Sequence, residues 1–203
     1  MPAPSPALTA AAPKSALGAG PRVYLRRPTS GDARTVTQAV ASSARLHGQW
    51  VQAPATQVRF AAYLRRFAGS RSRLTARATH IGLLVCRRED SAAVGVFNLS
   101  EIVHGAFQSA YLGYYALVPH GGHGYMSEGL ALTLWFAFRT LKLHRVEVNV
   151  QPSNARSIAL VRRAGFTREG FSRRYVKIAG RWRDHERWAM LVEDWRAQRR
   201  RPR

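Results

Sequence analysis

The chain has 203 residues, 46% of them hydrophobic, which is enough to bury one well-formed core and too little for two full domains. Lysine and arginine number 32 against 11 acids, a formal charge of +21 carried almost wholly by arginine, since only Lys14, Lys142 and Lys177 are lysine. Cys86 is the one cysteine, which excludes an internal disulfide framework and a cysteine-rich zinc site and fits a reducing, cytoplasmic setting.

Residues 1–20 are mostly Pro, Ala, Ser and Gly, without the basic leader and apolar core of a secretion signal, and read as a disordered arm. A single domain is expected over residues 21–195. Val23-Tyr24-Leu25 predicts a short strand, and Thr29-Ser30-Gly31-Asp32 opens a helix to about Ala44. A second helix follows over Thr56–Phe67. His80–Cys86 and Ala92–Val103 predict an antiparallel hairpin around the polar turn Arg87–Ser91, and Ala110–Val118 a third strand that stops at Pro119. The helix from Gly124 to Leu141 carries Leu130, Leu134, Ala137, Phe138 and Leu141 on one stripe and must be largely buried. Arg139 and Lys142 close this longest apolar stretch below the ~18 residues a membrane span needs, so no membrane association is expected. His144–Val150 alternates as a strand, and Asn154–Ala164 is a helix capped by Asn154 and stopped by Gly165. Strands Phe166–Ile178 and Trp182–Val192 close the domain. The order β-α-α-β-β-β-α-β-α-β-β describes an α/β fold, one mixed sheet with helices on both faces, followed by an arginine-rich tail over 196–203.

Two segments carry chemistry. Pro119-His120-Gly121-Gly122-His123-Gly124-Tyr125-Met126 joins a strand to a helix start, where unpaired N–H groups and the positive end of the helix dipole collect. Such a turn can hold a pyrophosphate, although a glycine-rich turn alone is about twice as often only a turn. Asn154-Ala155-Arg156-Ser157 places a carboxamide and a hydroxyl on one edge of the next helix, where they either face one ligand or merely cap.

Together these segments resemble the GNAT acetyltransferases over about residues 21–195. Gly121-Gly122-His123-Gly124-Tyr125-Met126 stands where that family carries Gln/Arg-x-x-Gly-x-Gly/Ala, with Gly121 replacing the first residue and Met126 the last. Met126-Ser127-Glu128-Gly129, the run His144 to Asn154 with Ser157, and Tyr175-Val176-Lys177-Ile178 with Trp182-Arg183-Asp184-His185 are similar to the branch acting on N-terminal alanines of ribosomal proteins. The resemblance implies acetyl-CoA as cosubstrate and no metal. It implies a cofactor site at Leu117, Val118, Gly122, His123, Gly124, Tyr125, Met126, Asn154 and Ser157, in which the strand ending at Leu117-Val118 splays from its neighbour and pairs with the pantetheine arm. The carboxylate base and tyrosine acid of some members would fall at Asn149 and Val161, so neither is present. Ser157 is then the candidate proton donor to the thiolate, and Glu147 with Asn149 the candidate base working through a water. For Glu147, an ion pair with Arg145 is an equal alternative. His80, His104, His120, His123 and His185 lack metal-ligand spacing and read as surface or hydrogen-bonding histidines.

An α-amine with a reference pKa of about 7.7–8.0 is partly neutral near pH 7, whereas a lysine amine near 10.4 needs a strong base. That favours an N-terminal acceptor, and with it the resemblance implies transfer of acetyl from acetyl-CoA to a protein N-terminal α-amine, an alanine of a basic ribosomal protein, by direct attack. Two alternatives remain: a small-molecule amine acetyltransferase, for example on an aminoglycoside, and a GNAT-fold RNA- or ribosome-binding protein with little activity. Scarcity of acids opposes the first, and the arginine-rich tail supports RNA contact. Either a monomer or a dimer is compatible.

Overall fold

Apolar alternation in the strands and two sets of amphipathic helices produce one eight-stranded sheet covered on both faces. The computed structural model describes residues 11–48, 50–67 and 78–200. The strands are β1 (Gly18–Ala19), β2 (Val23–Arg26), β3 (Ile81–Arg87), β4 (Ala93–Val103), β5 (Ser109–Ala116), β6 (Arg145–Val150), β7 (Thr167–Ile178) and β8 (Arg181–Leu191). They lie in the order β1-β2-β3-β4-β5-β6-β8-β7, antiparallel except for the parallel pair β5 and β6. The helices are α1 (Ala33–Ser42), α2 (Ala44–His47), α3 (Gln57–Phe67), α4 (Tyr125–Trp135), which runs on into a π-helical turn over Phe136–Thr140, α5 (Ala155–Arg163) and α6 (Val192–Arg200). This is the expected mixed α/β architecture.

The two faces have separate cores. On one, Leu130, Leu134 and Phe138 of the long helix and Leu160 and Val161 of α5 pack on Leu83, Phe97, Leu112, Val148, Trp188 and Met190. On the other, Val36, Val40 and Phe60 from α1 and α3 pack on Tyr24, Leu84, Val96, Tyr115 and Leu117. Strand β3 is buried on both sides, which is why its sequence, Ile-Gly-Leu-Leu-Val-Cys, shows no polar alternation.

The structure departs from expectation at three places. The first helix breaks at Ser43, whose buried hydroxyl donates to Ala39 O at 2.6 Å and accepts Val118 N–H at 3.0 Å. Such back-bonding bends helices, and here it turns α2 toward the end of β5. The arm expected to be disordered over 1–20 is structured in its described part. Gly18–Ala19 pair with β2, and Leu17 packs on the first core. The flank is short and rich in Ala, so it shows no period to read. The arginine-rich tail is likewise not beyond the domain. Arg196, Arg199 and Arg200 lie in α6, whose Trp195 is buried against Phe138, with the Arg199 guanidinium 5.1 Å from the indole centroid. Gln198 donates to Gly165 O at 3.2 Å. Residues 1–10 of the arm and 201–203 of the tail lie outside the described residues.

Truncation after Trp195 is therefore expected to cost about 1–2 kcal/mol from the lost cation–π and hydrogen-bond contacts. Thermal unfolding should register this as a fall of roughly 3–8 °C. An unchanged Tm would show that the last turns of α6 add nothing.

Candidate active site

Strands β5 and β6 pair only at Ser109–Arg145, Ala110–Val146 and Tyr111–Glu147, and beyond these residues they part. The gap opens a cleft of about 1220 Å³. Leu117 N–H is bonded to Val94 O at 2.9 Å, on the β4 side. Backbone direction alternates along a strand, so Tyr114 and Ala116 aim their N–H and C=O groups into the gap. His47 of α2 closes one end, its Nε2 donating to Ala116 O at 2.9 Å.

Leu117 and Val118 are placed differently from expectation. The Val118 N–H is bonded to Ser43 Oγ and that of Leu117 to Val94, so neither donor is open to a thioester carbonyl. Leu117 is fully buried in the second core, while Val118 lines the cleft.

Gly122 and Gly124 both have positive φ, +83° and +78°, a conformation that favours glycine and lets the turn present its N–H groups. A side chain at Gly122 would meet nothing within 4 Å, so its face is open to a ligand. Gly122, Gly124, Tyr125 and Met126 line the cleft at the start of α4. His123 instead turns aside: its ring stacks on Tyr125 at 5.7 Å, and its carbonyl accepts Arg22 Nη1 at 2.9 Å. Arg22 also pairs with Glu128 at 3.0 Å and lies over the Tyr125 ring. Met126, in place of a small residue, fits because its sulfur fills the space above Gly95.

Helix α5 begins as expected, with Asn154 Oδ1 accepting Ser157 N–H at 3.1 Å, and both residues line the cleft. Ser157 Oγ lies 2.6 Å from Tyr114 OH of β5. Burial pushes the Tyr114 phenol up to about 12, so it keeps its proton at working pH. Tyr114 lines the same cleft, a placement that the sequence did not disclose.

The opposite face of the sheet holds a second group. Register places Glu147 and Asn149 of β6 on one face with Arg187 of β8, and the strand period adds His185 to that face. Glu147 is held by Arg145 at 2.8 Å, Arg145 also binds Glu169, and Glu147 does not line the cleft. Asn149 does line it, and its buried Oδ1 has no hydrogen-bond partner among the described residues. His185 lines the cleft too, with 4% of its surface exposed and Nδ1 3.0 Å from Arg183 O. The structure thus joins Asn154, Ser157, Gly122, Gly124, Tyr125, Met126, Val118 and Asn149 around one cleft and leaves Glu147, His123 and Leu117 off its wall. Arg45, Arg156 and Arg163 line it, and no carboxylate does among the described residues. No group of three or more His, Cys, Asp or Glu suited to a metal ion occurs among them. No helix among them is long and apolar enough to cross a membrane.

An acetyltransferase (GNAT) domain matches residues 22–167, well over half of the chain. The chain belongs to the GNAT acetyltransferase family. It is 40% identical over 115 residues to the protein described as probable N-acetyltransferase YjcK of Bacillus subtilis, 57% of this chain and 62% of that one. It is 38% identical over 107 residues to the ribosomal protein uS5-alanine N-acetyltransferase of Escherichia coli, 53% of this chain and 55% of that one. The matched regions therefore span little more than half the length of these curated relatives. A solved structure, Mycobacterium smegmatis RimJ in complex with CoA-disulfide, superposes with a TM-score of 0.75 at 26% identity over 84% of this chain and 82% of that chain.

Proposed function

We propose that the protein transfers acetyl from acetyl-CoA to the α-amine of a protein N-terminus, with an N-terminal alanine of a ribosomal protein as the acceptor class. The observation that carries this reading is the split sheet, with the Tyr114–Ser157 hydroxyl pair on one side of the gap and the unpaired Asn149 carboxamide on the other. The name of the Escherichia coli relative supports the acceptor class.

Acetyl-CoA suits the residues present. Open Gly122, the free N–H groups at the start of α4, and the cationic lining at Arg156 and Arg163 match a pyrophosphate. The backbone groups of Tyr114 and the N–H of Ala116 suit the pantetheine amides and supply a donor for the thioester oxygen. The amine attacks the carbonyl carbon directly, the C–S bond breaks, and Ser157 Oγ, backed by the Tyr114 phenol, protonates the leaving sulfur.

The arginines without carboxylates speak against a polycationic acceptor such as an aminoglycoside. Arg45, the lining arginine not matched to the pyrophosphate, also disfavours lysine and arginine at the first positions of a peptide acceptor. A binding protein with little activity has no use for a hydroxyl pair buried at the gap. Peptides beginning with alanine, free lysine and an aminoglycoside, each incubated with acetyl-CoA and followed by thiol release and mass spectrometry, test the reading. Acetyl is expected on the peptide α-nitrogen, and acetylation confined to lysine or the aminoglycoside would overturn it. Each Lys or Arg at peptide positions two to four should lower kcat/KM about fivefold, the effect of roughly 1 kcal/mol of repulsion, and added salt should shrink the difference.

A further inference from the structure

We propose that His185 Nε2 accepts the proton released by the attacking amine, while Asn149 Oδ1 orients that amine. The inference rests on the reading above that the cleft acetylates an amine, and it assigns the base that the sequence left at Glu147.

Four observations carry it. First, the acceptor side of the gap needs a base, and Glu147 is spent on Arg145 away from the cleft wall. Second, the partner of His185 Nδ1 is a backbone carbonyl, which only accepts, so Nδ1 carries the hydrogen and a neutral ring keeps its lone pair on Nε2. Among the described residues Nε2 has no hydrogen-bond partner, and the ring lines the cleft. Third, Asn149 lies on the same face and lines the same cleft with a buried, unpaired oxygen, an acceptor waiting for an N–H donor. Fourth, burial lowers the pKa of His185 from the usual 6.5, which keeps the ring neutral near pH 7.

The neighbours of the ring are compatible with that state. Tyr175 of β7 packs edge-on at 6.1 Å, and Ser172 of β7 stands opposite in register. Asn149 of β6 and Gln151, just past its end, are neutral. On β8, Asp184 adjoins and favours the charged form less strongly than burial opposes it, while the Arg187 guanidinium is turned over Gly170. Across the cleft stand Arg45 and His47, and His47 spends its Nε2 on Ala116 O.

The step balances simply. The amine lone pair forms the N–C bond, the C–S pair leaves with sulfur, and the N–H proton passes to His185 Nε2 and on to solvent. Sulfur takes its proton from Ser157 Oγ, which Tyr114 and solvent restore.

The test compares wild type, His185→Gln and His47→Gln with whichever primary amine of the peptide panel is accepted. The readouts are kcat between about pH 5 and pH 9 and acetyl-CoA affinity by calorimetry. Wild-type kcat should fall on the acid side with a midpoint below the ordinary histidine value of about 6.5. His185→Gln should lower kcat about a hundredfold, abolish that limb, leave acetyl-CoA affinity unchanged, and respond partly to added imidazole. An unchanged kcat and limb in His185→Gln overturns the proposal while leaving the acetylation reading intact, and so does a limb that disappears only in His47→Gln. If wild type accepts no amine, both fall together. Should the variant fail to fold, ¹⁵N spectra of histidine in the wild-type protein with CoA decide: bare Nε2 and protonated Nδ1 at neutral pH support the proposal, and a protonated Nε2 overturns it.

Discussion

Gly124→Val is expected to raise the acetyl-CoA dissociation constant at least about tenfold, the largest binding effect of any single change in the cleft. A β-branched residue at φ +78° is strained, and the added carbon would stand 3.3 Å from the Arg22 guanidinium. Relief requires the turn to rotate, which takes the N–H groups at the start of α4 off the position of the pyrophosphate. Gly122→Ala makes the useful comparison. It also has positive φ, but its side chain would enter open space, so it reports the ligand's need for close approach more than packing. Calorimetry with CoA and a melting curve on each variant separate the two. Unchanged affinity in folded Gly124→Val would remove the turn from the binding site.

The second large effect belongs to proton transfer on the other side of the gap. Ser157→Ala should lower kcat about tenfold to a hundredfold and change KM little, because the hydroxyl meets the sulfur mainly when the bond is breaking. The effect sits at the low end for general acids, since a thiol with a pKa near 8.5 is already a fair leaving group. Tyr114→Phe should act through the same step. Its phenol lies 2.6 Å from the serine and stays protonated, so its removal takes away the group proposed to return a proton to Ser157. In the proposed relay the two act in series, so the double variant should be little worse than Ser157→Ala alone. Independent, multiplying losses would show that they do not act in series, and equal kcat in wild type and Ser157→Ala would dismiss the relay.

Much of this architecture could be read from local pattern. The caps and stops of α5 follow from Asn154 and Gly165, and the long buried helix follows from its wide apolar stripe. Turn and helix start coincide at Gly124 in sequence and in space, which is why that half of the site was legible. What was not legible depends on contacts between distant residues. Ser157 and Tyr114 are 43 positions apart, so no spacing rule joins them. Glu147 stands on the expected face of β6, but its pairing with Arg145 two residues away competes with a catalytic use, and local geometry favours the ion pair. His185 gains its significance only from the register of β8 against β6. Helix α6 was missed because its residues are mostly charged, and only Val192 and Trp195 are buried.

The contact between Arg22 and Glu128 joins residues 106 positions apart. Glu128 accepts the N–H groups of Arg22 and Val23 at 2.7 and 3.0 Å, and Arg22 in turn holds the His123 carbonyl. A fragment starting at β3 would keep every glycine of the turn and all of α4, yet it would lack the guanidinium that clamps them. The turn proposed to hold the pyrophosphate is thus buttressed by a strand far away in sequence, and closing so long a loop is the entropic cost of that support.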